Sequence, residues 1–173
     1  AQSQTSVSST QAFTGWGGRI ADRMNQPNNP NGLIPMITSI AGAQLFTAGQ
    51  TTLPMAIADA NTSLANVLNP AGFNTTAASV ARRNAMNQLR TIDLDNNYLA
   101  AASHVTDLAM EANTALQTFQ EVTVTFPNTS IGRQLRQIAR LIKKRTDLNV
   151  NRQVFYCQIG GFDTHNNQIN NHT

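Results

Sequence analysis

The chain has 173 residues, the size of one domain, and carries a net charge of +3 with only 12% charged residues, about half the usual share. It contains no run of about 18 apolar residues, so no membrane span is expected. Its single cysteine, Cys157, excludes an internal disulfide and is expected to be a small buried apolar residue in a strand.

The first half of the chain predicts few regular elements. Residues 1–12 are rich in Ser, Thr and Gln and indicate a flexible arm. Gly15-Trp16-Gly17-Gly18 indicates a turn with an anchoring tryptophan, or alternatively the lining of a cleft, and a short helix is expected over 19–24. An apolar, β-branched run over 33–40 predicts a strand. Residues 43–73 predict loops, a short strand and a short helix.

The second half shows clearer periodicity. Apolar residues recur at three- and four-residue spacing over about 75–91 and 96–120, which predicts two helices. His104 falls in the second helix and is expected to be a structural histidine, at the surface or partly buried. The alternation of Val and Thr in 121–126 predicts a short extended segment that Pro127 ends.

A helix capped by Thr129 or Ser130 follows. We expect its buried stripe to consist of Ile131, Leu135, Ile138, Leu141 and Ile142. Its basic residues lie largely off that stripe and indicate a solvated face. A nucleic-acid surface is the less favoured alternative, because no aromatic residues are interleaved with them. With a strand over 153–159, the order of elements predicts an α/β fold with a parallel sheet and crossover helices.

The end of that last strand carries the most informative motif. Gly160 and Gly161 follow the strand, and Asp163 and His165 come two residues apart just beyond them. Ligands of open α/β sheets collect beyond the carboxyl ends of strands, where glycines allow a close approach of the backbone. Asp and His are two of the three or four ligands that a catalytic metal ion requires. The pattern therefore predicts half of a divalent metal site, with Asp163 and His165 as ligands.

Alternatives stay open at this point. Asp163 can instead cap a turn beside an exposed histidine. His172 can join a metal site only if the polar tail, residues 166–173, folds back. The catalytic residues, including any nucleophile, are unknown from the sequence, because it contains no serine nucleophile motif and no paired cysteines.

The segment Gly160-Gly161-Phe162-Asp163-Thr164-His165-Asn166-Asn167-Gln168 resembles the signature of a family of secreted bacterial proteins, the domain of unknown function 1501 family. Segments 14–19 and 131–143 resemble the same family, whereas residues 43–120 agree with it only in their order. The resemblance implies a partial alkaline-phosphatase-like sheet flanked by helices, with a metal-centred site at the strand ends where Asp163 and His165 are ligands. It also implies twin-arginine export and a periplasmic or extracellular location.

The chain departs from that family in one respect. It lacks the Gly-Gly-Asn-Asp-type strand end and the later Ser-Asp-Phe-Gly and histidine-rich segments that would complete the site. We therefore expect residues 1–173 to be a single incomplete α/β domain, inactive alone and completed by the remainder of its own polypeptide.

The function that the resemblance implies is a metal-dependent phosphatase- or sulfatase-like hydrolase of small-molecule or polymer esters. The alternative is a non-catalytic extracellular binding or assembly protein on the same scaffold, in keeping with the amide-rich, charge-poor composition. The sequence does not specify the substrate, the metal or the oligomeric state.

Overall fold

Three short strands and four helices are present in a computed structural model that describes residues 13–57, 60–64, 74–118 and 121–162. In chain order the elements are α1 (Trp16–Asn28), β1 (Ile37–Ser39), a 3₁₀ turn (Leu45–Thr47), β2 (Met55–Ala56), α2 (Ala77–Leu89), α3 (Asn97–Leu116), α4 (Ser130–Lys143) and β3 (Val154–Tyr156). Side-chain oxygens of Thr76, Asn96 and Thr129 accept backbone N–H groups at the starts of α2, α3 and α4. The predicted α/β class is confirmed.

The sheet is parallel, with β1 between β2 and β3. Ser39 at the end of β1 lies opposite both Ala56 and Tyr156, so the three strands end in one row. The ladder continues one residue further, because the Ile40 amide donates to the Tyr156 carbonyl and the Ile57 amide donates to the Ser39 carbonyl, both at 2.8 Å. All of β1 is buried, as expected for a parallel strand covered on both faces.

Helices cover the two faces of this sheet. On one face, α1 contributes Ala21 to a small cluster with Met36 and Ile37. On the other face, α3 and α4 contribute to the main core, which consists of Ile34, Ile40, Met55, Ile57, Leu64, Ala112, Leu116, Leu141, Leu148 and Val150. Val154 packs on the first cluster and Phe155 on the second, because successive side chains of a strand point to opposite faces.

Most predicted elements are confirmed. α2 and α3 match the helices predicted over 75–91 and 96–120, and β1 and β3 lie within predicted strands. The extended segment predicted over 121–126 is wrong, since the chain there forms bends and no strand. Val124 is 67% exposed, so the alternating side chains do not pack against a sheet.

α4 buries only part of the predicted apolar stripe. Leu141 is fully buried and Ile138 packs against the main core, but Leu135 and Ile142 are 42% and 46% exposed. The buried polar residues of α4 and its C-cap are Gln134, Gln137, Arg140 and Lys144. They hydrogen-bond to groups on other segments; Gln137, for example, donates to the Thr62 carbonyl at 2.9 Å. Hydrogen bonding permits their burial, and apolar periodicity cannot reveal it.

Two further predictions concern chain segments rather than packing. Within the described part of the chain, no helix has both the length and the apolarity needed to cross a membrane. The predicted arm, residues 1–12, and the polar tail, residues 166–173, lie outside the described residues.

Candidate functional site

The carboxyl ends of the three strands meet at one side of the sheet. Because β1, β2 and β3 are parallel and end in register, the segments after Ser39, Ala56 and Tyr156 leave from the same side. Ligands of open parallel sheets bind at this side. We call it the carboxyl edge, and it comprises residues 40–44, 57 and 157–162.

A side chain of α4 holds the segment that follows β3. The Gln134 side-chain amide donates to the Gln158 carbonyl at 2.8 Å and accepts from the Gln158 N–H at 2.9 Å. Gln134 is only 7% exposed, so water competes little for these bonds. A planar amide that pairs with both backbone groups of one residue sets its position and its orientation. Gln158 is therefore a fixed point two residues before Gly160.

Two glycines follow Gln158 in this segment. Gly161 has a φ of 90°, a left-handed conformation that favours glycine over every other residue. A Cβ added at Gly160 or Gly161 would have no atom of the described residues within 4 Å. Glycine at 161 is thus explained by its backbone conformation, whereas nothing in the structure requires glycine at 160.

A glycine with a left-handed conformation also follows the neighbouring strand β1. Gly42 has a φ of 73°, and a Cβ there would have no atom of the described residues within 4 Å. The Ser39 hydroxyl accepts the Ala41 N–H at 3.2 Å, and the Gly42 N–H donates to the Ile57 carbonyl at 3.3 Å. Adjacent strands are therefore both followed by a left-handed glycine at the carboxyl edge.

The predicted metal ligands continue from this edge in the sequence. Asp163 and His165 lie outside the described residues, as does His172. Among the residues that the structure describes, no group of three or more His, Cys, Asp and Glu side chains is placed to hold a metal ion. His104 on α3 is exposed, as predicted. Cys157 is only half-buried and directly follows β3, so the expectation of a small buried residue within the strand is wrong.

The glycines at the N-cap and in the first turn of α1 allow close packing. A Cβ at Gly15 would lie 2.1 Å from the Leu45 carbonyl oxygen, and a Cβ at Gly18 would lie 2.1 Å from backbone atoms of Ala48. α1 therefore approaches the 45–49 segment at a distance that only glycine permits. The predicted turn is the first turn of the helix itself.

An aromatic stack extends this packing to the carboxyl edge. The Trp16 and Phe46 rings meet edge to face with centroids 4.6 Å apart. The Phe46 and Tyr156 rings lie 5.2 Å apart at a tilt of 32°. Three rings thus connect the start of α1 with the last residue of β3. Trp16 packs against Phe46 and lines an open groove, whereas the turn predicted for this segment is part of a helix.

Asp22 binds the loop of residues 50–52 through its carboxylate, a contact that the sequence did not indicate. Its carboxylate accepts the backbone N–H groups of Gln50 at 2.7 Å, Thr51 at 3.1 Å and Thr52 at 2.7 Å. Burial opposes ionisation, but these bonds and the Thr51 hydroxyl outweigh it and lower the pKa of Asp22 to about 2. Successive amides of this kind form an anion-binding turn, which here binds the chain's own carboxylate. No sequence signal distinguishes Asp22 from an ordinary exposed helical residue.

The basic residues of α4 are largely bound within the chain. Arg140 and Arg136 both donate to the Glu121 carboxylate, and Arg140 contributes most to lowering the pKa of Glu121 to about 2. Lys143 donates to the Glu121 carbonyl at 2.6 Å. Since Arg140 is also 6% exposed, the predicted solvated face is wrong for this residue.

Comparison with known proteins identifies no relative of this chain. The chain matches no protein-family model, no curated protein and no solved structure. The function is therefore inferred from the residues and geometry of the carboxyl edge.

Proposed function

We propose that the chain is part of a metal-dependent hydrolase of phosphate or sulfate esters, with Asp163 and His165 as metal ligands. The observation that supports this proposal is that a side chain of α4 holds the segment after β3 in place. Gln134 fixes Gln158, Gly161 adopts a left-handed conformation, and the Asp-Thr-His motif follows in the sequence two residues later. Location in the periplasm or outside the cell is part of the same proposal.

The donor types suit such a site. A carboxylate and an imidazole are common ligands of divalent metals in hydrolases, and the bound metal stabilises negative charge on ester oxygens. Two ligands are fewer than the site requires, and the described residues supply no cluster of three. We therefore infer that further ligands and the nucleophile come from other parts of the polypeptide. In this chain, Gln134 holds Gln158, five residues before Asp163 in the sequence.

Metal content and ester hydrolysis of the natural full-length protein test the proposal. We expect about one or two equivalents of a divalent metal by plasma mass spectrometry, and turnover in a screen of phosphate and sulfate esters. Asp163→Asn and His165→Ala should each lose metal and activity. Matched controls are Glu111→Gln and His104→Ala, the same kinds of change at exposed positions of α3, and they should retain both.

Two outcomes would count against the proposed metal site. Full occupancy of metal in both Asp163→Asn and His165→Ala would remove these residues from the site. A metal-free wild-type protein with no ester turnover would favour the alternative, a non-catalytic extracellular binding or assembly protein.

A further inference from the structure

An open groove of about 850 Å³ runs along the outer side of α1. Trp16, Ile20 and Met24 line it at four-residue spacing, so their side chains lie in one row on the same face. They are 43%, 40% and 39% exposed. A contiguous row of half-exposed apolar side chains marks an interaction surface, and Trp and Met are enriched at protein interfaces. We call this surface the α1 groove.

A basic row borders the α1 groove. Arg19 and Arg23 line it, also four residues apart. Arg19 donates to the Thr14 carbonyl at 2.9 Å, which holds its guanidinium in place, and Arg23 is exposed. Asp22 directs its carboxylate to the amides of residues 50–52, which compensate its charge. The groove therefore favours a partner that combines apolar side chains with carboxylates.

The turn between α2 and α3 has the complementary character. Ile92 and Leu94 are 52% and 46% exposed. They alternate with Asp93 and Asp95, which are exposed as well. Tyr98 adds an aromatic ring that is 88% exposed. We call residues 92–95 the acidic turn.

The acidic turn has a defined conformation without a partner. Asp93 has a φ of 55°, and its carbonyl accepts the Asn96 N–H at 3.0 Å. At its base the Ser103 hydroxyl donates to the Arg90 carbonyl at 2.9 Å, and Arg90 forms an ion pair with Asp107. A turn that is already ordered loses little conformational entropy when it binds.

We propose that the α1 groove binds the acidic turn of a second copy of this chain. The apolar residues of the turn cover the apolar row of α1, and its carboxylates face the arginine row. The two surfaces are different and lie on the same chain, so each copy offers one groove and one turn. Such head-to-tail contacts close into a ring or continue as a filament.

Charge reversal on each side of this contact provides the test. The natural full-length protein should self-associate in sedimentation velocity experiments, more weakly as salt rises from about 50 to 500 mM. Arg23→Glu and Asp95→Arg should each weaken self-association about tenfold or more, because like charges then face each other. Arg145→Glu, a reversal at an exposed residue outside both surfaces, is the control and should change nothing.

Mixing the two variants distinguishes this contact from any other. The new carboxylate in the groove of the Arg23→Glu variant attracts the new guanidinium in the turn of the Asp95→Arg variant, and the remaining groove and turn have their natural charges. An equimolar mixture should therefore associate as strongly as the wild type, although each variant alone does not. A wild-type protein that stays monomeric, or a mixture that fails to associate, would overturn the proposal. Circular dichroism spectra should show that both variants are folded.

Discussion

At the scale of single residues, polar side chains that bind backbone groups connect distant parts of the chain. Gln134 pairs with Gln158, and Asn29 donates to the Arg152 carbonyl at 2.7 Å while it accepts the Asn151 N–H at 2.8 Å. Asn29 and Gln134 are only 4% and 7% exposed. The amide-rich composition of the chain thus has a structural use in its interior as well as at its surface.

The contact between Gln134 and Gln158 gives a prediction. Gln134→Leu leaves both backbone groups of Gln158 without their partner, so amide hydrogen exchange at Gln158 should accelerate at least about tenfold. If Asp163 and His165 bind metal as proposed, the affinity of the full-length protein for metal should fall as well, because residues that support metal ligands tune metal affinity.

Two comparisons make this prediction specific. Gln88→Leu makes the same change at an exposed position of α2 and should alter neither exchange nor metal affinity. Unchanged exchange at Gln158 in Gln134→Leu would show that the hydrogen bonds do not hold this segment.

At the scale of elements, α1 and the 45–49 segment depend on glycine for their close packing. Gly18→Ala would place a methyl group 2.1 Å from backbone atoms of Ala48, and backbone cannot move aside as a side chain can. The free energy of unfolding should fall by about 1–3 kcal/mol or more, as measured by urea denaturation. Gly160→Ala is the matched control, because its Cβ would meet no atom of the described part of the chain within 4 Å. Equal stability of the two variants would contradict the packing account.

The sequence predicts the elements better than it predicts their contacts. Apolar periodicity correctly predicts α2 and α3, and the order of elements correctly predicts a parallel sheet. Alternation over 121–126 fails, because a strand also needs a neighbour with free backbone groups, and periodicity carries no information about neighbours. The buried face of α4 is predicted only in part for a related reason, since its buried polar side chains bind backbone groups that are remote in sequence.

In the candidate site, too, local features are predictable from the sequence and long-range contacts are not. The position of the glycines after β3 and the strand that precedes them follow from local sequence. The Gln134 contact does not, because 24 residues separate its partners. Asp22 is missed altogether, since an acidic residue on a helix is ordinary until its fold brings the amides of residues 50–52 to it.

At the scale of the whole molecule, two carboxylates hold loops on opposite faces of the sheet, and both should make stability depend on pH. The pKa values of Asp22 and Glu121 are lowered from 3.8 and 4.5 to about 2. Both groups therefore stabilise the folded state above their ordinary pKa values, and this contribution is lost as pH falls from about 4.5 to about 2.

Urea denaturation at a series of pH values checks this expectation. The free energy of unfolding of the wild type should decline across that interval. Asp22→Asn and Glu121→Gln should be less stable at pH 7, Asp22→Asn by about 1 kcal/mol because its loop is largely exposed, and each should show a shallower decline. Glu111→Gln, a change at an exposed carboxylate of α3, should follow the wild-type curve. Parallel curves for all four proteins would show that neither carboxylate stabilises the fold.

The aromatic stack also gives the protein an internal optical signal. Trp16 is the only tryptophan of the chain, and it contacts Phe46, whose ring in turn contacts Tyr156 at the end of β3. Indole emission responds to the polarity and packing around the ring, and excitation absorbed by a nearby tyrosine passes readily to tryptophan. The intrinsic fluorescence of Trp16 therefore reports on occupation of the α1 groove directly and on movement at the carboxyl edge through Tyr156, with no added label.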